Sequence, residues 1–253
     1  HMSKYSAVSN AKFNRDKSEA FSLNGTKSQH WQNILSSHDV TSYYHQGSAQ
    51  VLRYLGFYLP YTTTQRALLE NKLLATINTQ FQIYSKRQLS IKGRVTIVNI
   101  FILSKLWYCL RLFKPTKKFF LAVEKHIYQF VWQKKSPKLR KDLLFAPIDV
   151  GGLKVMSPRI QHKMLQRRWI TYLVQPKFYS TFVYTIMLQH LSFFDNSQDF
   201  PILPLFDPDF RKGQILNRNL SIWHAIFDCF DFYRQSYETE LQQVPVSTIL
   251  GLP

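Results

Sequence analysis

The chain has 253 residues and a formal net charge of +18, with 45% hydrophobic residues including 20 Phe, 14 Tyr and 5 Trp. Aromatic content at this level can build a core, which excludes disorder for most of the chain, and two cysteines with no ligand-like spacing exclude a zinc module or a disulfide framework. Twenty of the 33 Lys and Arg residues lie between Tyr84 and Arg168, against three acids there, Glu124, Asp142 and Asp149. Charge this concentrated points to a polyanionic partner, with a polyphosphate backbone first among them.

The opening, His1 to about Gly47, is rich in Ser, Asn, Gln and His and is the stretch expected to be disordered. Ser18–Leu23 and Val51–Leu59 read as short strands, with Gly56 inside the second as a bulge or a close approach and Pro60 closing it. Thr62, Thr63 and Thr64 offer caps for a helix to about Tyr84, with Leu69, Leu73, Ile77, Phe81 and Tyr84 as its apolar stripe. Ser90 predicts the start of a helix over Ile91–Leu112, inward at Val95, Val98, Ile102, Leu106 and Leu110. The apolar run Val95–Phe113 is interrupted by Asn99, Lys105 and Arg111, so a buried amphipathic helix is expected rather than a membrane span. Pro115 separates it from a helix over Lys117–Gln133, inward at Phe120, Val123, Ile127, Phe130 and Val131.

Lys134, Lys135, Lys138, Arg140 and Lys141 crowd a segment that cannot bury itself and reads as an exposed loop. A short extended piece, Leu143–Ala146, and a turn at Gly151-Gly152 follow. A helix over Pro158–Val174 carries Lys163, Arg167 and Arg168 close to one face. Residues 176–213 read as loops with one helix near Phe182–Leu191, and a last helix spans Leu220–Tyr237, inward at Ile222, Ile226, Phe230 and Tyr233. The fold class is mainly α, a helical bundle with a small β element near the N-terminus. The expected domains are 1–60, a basic helical 61–175, and a helical and loop-rich 176–253.

Four pieces stand in an informative order: Leu52-Arg53-Tyr54-Leu55-Gly56; Leu89-Ser90-Ile91-Lys92-Gly93-Arg94-Val95 leading into Ile102-Leu103-Ser104-Lys105-Leu106-Trp107-Tyr108; Ile127-Tyr128-Gln129-Phe130-Val131-Trp132 with the basic loop behind it; and Gly151-Gly152-Leu153. Over about a hundred residues this order resembles the region that follows the catalytic centre of LINE-type (non-LTR) retrotransposon reverse transcriptases. Ser9-Asn10 through Lys17-Ser18 is similar to the segment after that family's catalytic strand. The resemblance implies a palm remnant, a primer-grip hairpin at Tyr54, Leu55 and Gly56, a helical thumb and a connecting region. It also implies a nucleotide-side role for Lys17, although an exposed turn lysine is the simpler reading. The family's metal-binding aspartates include an Asp-Asp pair, and this sequence has no adjacent aspartates. The chain is therefore expected not to be an enzyme, to hold no cofactor and no metal, and to be a truncated or domesticated derivative.

The expected contacts to RNA or an RNA–DNA hybrid are Lys86, Arg87, Lys92, Arg94, Lys105, Lys134, Lys135, Lys138, Arg140, Lys141, Lys163, Arg167 and Arg168. Each also has a plain reading as a solvated helix-end or loop charge. The backbone N–H groups at the start of the second long helix could add an anion site beside Lys92 and Arg94. Trp107, Tyr108, Trp132 and Trp169 suit base stacking, but their helical settings favour core packing. His126, His162, His190 and His224 lack partners at ligand spacing. The alternative is a protein-interaction subunit that uses its aromatic surface or its acidic C-terminal third, Asp195–Glu240. No membrane partner is expected. A basic run of this kind also serves nuclear import, so the expected setting is intracellular and nuclear.

Overall fold

The computed structural model describes residues 2–9, 14, 17–133, 140–194, 201–211 and 222–241. Lys134, Lys135 and Lys138 lie outside the described residues, as do most of the segment Asn10–Asp16 and the tail beyond Leu241. The chain is mainly helical with two small sheets near the N-terminus, and it divides into compact units at residues 1–69 and 70–253.

The first unit holds α1 (Met2–Ser9), β1 (Glu19–Phe21), α2 (Gln29–Ser37), β2 (Ser42–Tyr44), β3 (Leu52–Tyr54) and β4 (Phe57–Leu59). The polar opening is thus built between Glu19 and Gly47, contrary to expectation. Local polar capping replaces a large core there. Asn24 Oδ1 accepts from Ser22 Oγ, Thr26 N and Thr26 Oγ1, and Ser28 caps α2 by accepting from Trp31 N. β1 and β2 pair in parallel, Glu19 to Ser42 through Phe21 to Tyr44.

The stretch expected as one strand, Val51–Leu59, is instead a hairpin, with Leu52 opposite Leu59 and Tyr54 opposite Phe57. Its two-residue loop has Leu55 at φ 48° and Gly56 at φ 84°. Two positive φ values make the tight turn whose twist suits a hairpin, and Gly56 takes the second at no steric cost. Leu55 is 74% exposed in a conformation unfavourable for a branched side chain.

α3 (Thr63–Ser85) crosses the boundary between the units. The second unit continues with α4 (Ile91–Leu110), α5 (Lys117–Val131), α6 (Lys141–Phe145), α7 (Pro158–Val174), α8 (Phe182–Ser192), α9 (Leu203–Phe206) and α10 (Ile222–Leu241). Ser90 caps α4 through Gly93 N and Thr116 caps α5 through Phe119 N. The apolar stripes predicted for α3, α4 and α5 are buried, including Ile77, Phe81, Val98, Ile102, Leu106, Leu110, Val123 and Ile127, except at the half-buried Tyr84. α4 is not regular: Val98–Ile102 forms a π turn closed by Leu103 N to Val98 O at 2.9 Å. Both Ile102 and Leu103 are consequently fully buried. Among the described residues α4 alone has the length and apolar content to cross a membrane, and a third of that stretch is buried within the protein.

α7 is the hub. It contacts the second half of α4, α5, α8 and α10. Beyond it a second cluster forms from Leu173, Met187, Leu191, Leu205, Trp223, Ile226 and Phe227. Arg211 is buried there. It donates to both oxygens of Asp231 at 2.9 and 2.8 Å and to Pro204 O at 2.6 Å, and it lies 4.3 Å from the Phe227 ring centre.

Of Leu143–Ala146, expected to be extended, Leu143–Phe145 belongs to the short helix α6, which has Asp142 in its first turn, and only the capping Ala146 is extended. The extended piece comes after the turn. Leu153 N bonds Leu143 O at 3.0 Å, Lys154 N bonds Ala146 O at 2.9 Å and Val155 N bonds Leu144 O at 3.0 Å. This return requires both glycines for different reasons. Gly151 has φ 80° with open space around it, whereas a Cβ on Gly152 would lie 2.1 Å from the Ala146 carbonyl oxygen.

Gly152→Ala is expected to cost about 2–4 kcal/mol in denaturant unfolding, because backbone must move. Gly151→Ala is expected to cost only about 1 kcal/mol; equal losses at the two positions would refute the close-approach account. At the hairpin, Leu55→Asn creates the Asn-Gly pair this turn prefers and should stabilise it by about 0.5–1 kcal/mol. Hydrogen exchange at Leu52–Leu59 should then slow about threefold, and faster exchange would contradict the strain at Leu55.

Candidate nucleic-acid interface

The predicted contact residues separate into two kinds. Arg94 is turned inward. Its guanidinium donates to Leu89 O through Nε and Nη2 at 3.0 and 2.9 Å, and Nη1 donates to Val131 O in the last turn of α5. It thus caps the C-terminus of α5 and ties it to the start of α4. Lys163 is half-buried, with its ammonium 3.4 Å from the Phe232 ring centre of α10. Burial pushes its pKa below the ordinary lysine range, against the opposing pull of Asp228. Arg140 pairs with Asp142 at 3.2 Å, with both side chains largely in solvent, where such a pair contributes little.

The other predicted contacts remain available. Lys86, Lys92, Lys105 and Arg167 are exposed and have no ion-pair partner among the described residues. Arg87 is exposed beside the Tyr84 ring at 5.5 Å, Lys141 beside Tyr128 at 5.6 Å, and Arg168 beside Trp169 at 5.1 Å. Lys117, Lys118 and Lys125 on α5 are also exposed and have no ion-pair partner among the described residues, and charge density alone did not single them out. Lys125 was legible in principle, since it precedes Gln129 by one helical turn. Arg111 was missed as well; its Nε–H is buried without a partner among the described residues, and its charge, after burial, helps push Arg168 below its ordinary range.

Two cavities flank the C-terminal half of α5 and share Gln129. One, about 460 Å³, lies among α3, α4 and α5 and is lined by Phe81, Tyr84, Arg87, Arg94, His126 and Phe130. Burial, with Lys125 adding, pushes His126 below the usual imidazole value, and its ring stacks on Phe81 at 6.2 Å. The other, about 680 Å³, lies between α5 and α6. The start of α4 is less available as an anion site than its sequence suggested, since Ser90 Oγ already takes the Gly93 N–H at 3.1 Å and Arg94 faces away.

The frame behind these cations rests on buried polar contacts. Glu70 of α3 accepts from Thr116 N at 2.6 Å and from Thr116 Oγ1 at 2.9 Å, fixing the start of α5. From α7, Gln166 donates to Leu110 O at 3.0 Å, and His162 Nε2 lies 3.1 Å from Phe113 O. A carbonyl only accepts, so this ring nitrogen carries the hydrogen. Burial pushes His162 down to about 4, outweighing the Phe113 hydrogen bond that opposes it. Lys114 pairs with Asp228 of α10 at 2.7 Å, and Arg159 of α7 with Glu124 of α5 at 2.8 Å.

Tyr54, Leu55 and Gly56 form the tip of the β3–β4 hairpin in the first unit, with Tyr54 58% and Leu55 74% exposed. Lys17 is exposed. Trp132 is buried, Trp107 and Trp169 are half-buried, and Tyr108 is exposed. Among the described residues no three His, Cys, Asp or Glu side chains gather as a metal site would require.

No family model matches the chain. It is similar to a protein of Xenopus laevis described as the transposon TX1 uncharacterized 149 kDa protein, with 26% identity over 116 residues. That stretch is 45% of this chain and 9% of the frog protein, so the chain spans less than a tenth of that relative's length. The similarity points to a transposon-related region.

His162 generates a pH expectation. Its folded pKa lies below the 6.5 of an unfolded histidine, so the unfolded chain binds more protons between these values. The stabilisation is complete above about pH 6.5 and is lost as pH falls towards 4, by roughly 2–3 kcal/mol. Unfolding free energies measured from pH 7 to 4 should show this slope in wild type and a shallower one in His162→Gln. Parallel slopes would assign the acid sensitivity elsewhere.

Proposed function

We propose that this chain is a nucleic-acid-binding module that grips the phosphate backbone of RNA or an RNA–DNA hybrid without chemistry of its own. Its basic second unit would correspond to the thumb and connecting part of a LINE-like reverse transcriptase, in a truncated or domesticated form. The observation that carries the reading is that the exposed Lys86, Lys92, Lys105, Lys117, Lys118 and Lys125 have no acid partner among the described residues, while Arg94, Arg159, Lys114 and Arg211 are engaged by the fold. Unpaired cations around two adjoining cavities keep a positive field that a phosphate backbone would neutralise, and such contact positions a duplex without reading its sequence. The similarity to a transposon protein and the motif order across Leu52–Leu153 support the same reading. Intracellular, nuclear use is part of the proposal.

The test is the affinity of the full chain for a blunt 20-base-pair RNA duplex against salt. Log affinity should fall linearly with log salt, and Lys86/Arg87/Lys92→Ala should reduce the slope by about 0.7–0.9 for each phosphate that is no longer neutralised. Replacing Lys134, Lys135 and Lys138 by Ala should reduce it further. Weak binding at low salt, or binding indifferent to salt, would overturn the reading.

A further inference from the structure

The cavity between α5 and α6 has features that backbone gripping does not use. Its volume of about 680 Å³ lies within the range of small-molecule sites. Tyr128, Trp132 and Phe145 give it aromatic walls, with the Tyr128 and Trp132 rings edge to face at 6.4 Å. Trp132 is 8% exposed, and its Nε1–H is buried with no hydrogen-bond partner among the described residues. An unsatisfied buried donor is costly, so this N–H is poised for an acceptor that a ligand would bring. Lys125 and Lys141 also line the cavity. The two acids on its wall are both engaged, Glu124 by Arg159 at 2.8 Å and Asp142 by Arg140 at 3.2 Å. The unpaired charge beside the rings is therefore positive.

Aromatic faces, one orphan N–H and two cations together match a planar group with hydrogen-bond acceptors joined to an anion. We propose that this cavity binds a single unpaired nucleotide, its base against Tyr128 and Trp132 with an acceptor on Trp132 Nε1–H, and its phosphate on Lys125 and Lys141. A base stacked in a duplex cannot present its face or reach a nearly buried tryptophan, so the occupant is an unstacked nucleotide. Base–aromatic stacking tolerates any base, which predicts little preference among the four. The inference rests on the nucleic-acid reading above but concerns a contact that a blunt duplex does not make, that of a base inside the cavity.

The test uses the full chain and an RNA duplex with a short single-stranded overhang containing 2-aminopurine, with adenosine monophosphate alone as a second probe. Binding should change 2-aminopurine emission. Trp132→Phe, which keeps a ring but removes the N–H, and the exposed-site change Lys141→Ala should each weaken overhang binding at least fivefold. Affinity for the blunt duplex should change less than twofold in Trp132→Phe, whereas Lys141→Ala, at a residue also counted among the phosphate-backbone contacts, should weaken the overhang at least fivefold more than it weakens the blunt duplex. Adenosine monophosphate that competes with the overhang in wild type and not in Lys141→Ala would show that the site also takes a free nucleotide; an overhang response alone assigns it to a strand. Unchanged emission and unchanged overhang affinity in both variants, with blunt-duplex binding intact, would overturn the cavity proposal alone. Loss of all duplex binding at low salt in wild type would instead overturn the backbone-gripping reading.

Discussion

The second unit depends on how the end of α4 is held. A helix ends with carbonyls that no intrahelical donor reaches, and a buried end needs those groups satisfied from elsewhere. Here α7 supplies them, with Gln166 on Leu110 O and His162 on Phe113 O, two contacts one turn apart on one helix face. The same helix meets α5 through Arg159 and Glu124, and α10 through Lys163 against Phe232. α4, α5 and α10 are thus indexed to one element. Burying Gln166 leaves its Oε1 without a donor among the described residues, a local cost carried by the arrangement.

The fate of the positive charge follows from this frame. Where a basic side chain meets a buried carbonyl or a C-terminal acid, it is drawn into packing, as with Arg94 on Val131 O, Lys114 on Asp228 and Arg211 on Asp231. Where α4 and α5 face solvent, Lys92, Lys105, Lys117, Lys118 and Lys125 have no acid partner among the described residues. Neighbouring unpaired lysines repel one another and destabilise the compact state. Glu70 on Thr116 and the caps from Ser90 and Thr116 counter that repulsion from inside.

Much of the fold was legible because its signals are local. Ser90 announced one helix start and Pro115 the break before the next, and the three-and-four spacing of Leu73, Ile77 and Phe81 or Val123, Ile127 and Phe130 gave the inward faces. What failed was set by contacts distant in sequence. The Leu143–Phe145 piece is helical because the chain beyond Gly152 returns to its carbonyls. Between Glu19 and Gly47 the opening forms elements because Asn24 and Ser28 cap backbone locally, a device invisible to hydropathy. At the candidate interface, charge density located the region but could not sort its members. Arg94 and Lys92 are two residues apart and read alike, yet one caps α5 and the other faces solvent. Only the position of α5 decides between them. The unpartnered Nε1–H of Trp132 has no signature in sequence at all.

The wide turn in α4 has a consequence for the chain's tolerance of length changes. A regular helix would present one residue at the join of its halves, and this one presents Ile102 and Leu103 together. The swelling absorbs one extra residue, so the first half keeps Val95 and Val98 inward while the second keeps Leu106 and Leu110 inward. Removing that residue would restore a regular ladder and rotate one half against the other by about 100°. Asn99 lies within the swelling, and its amide pairs with Lys154 O and Met156 N at 3.1 and 2.9 Å. The irregular turn therefore acts as a phase adjuster, reconciling the register α7 demands of the helix's end with the register the Gly152 return demands of its middle.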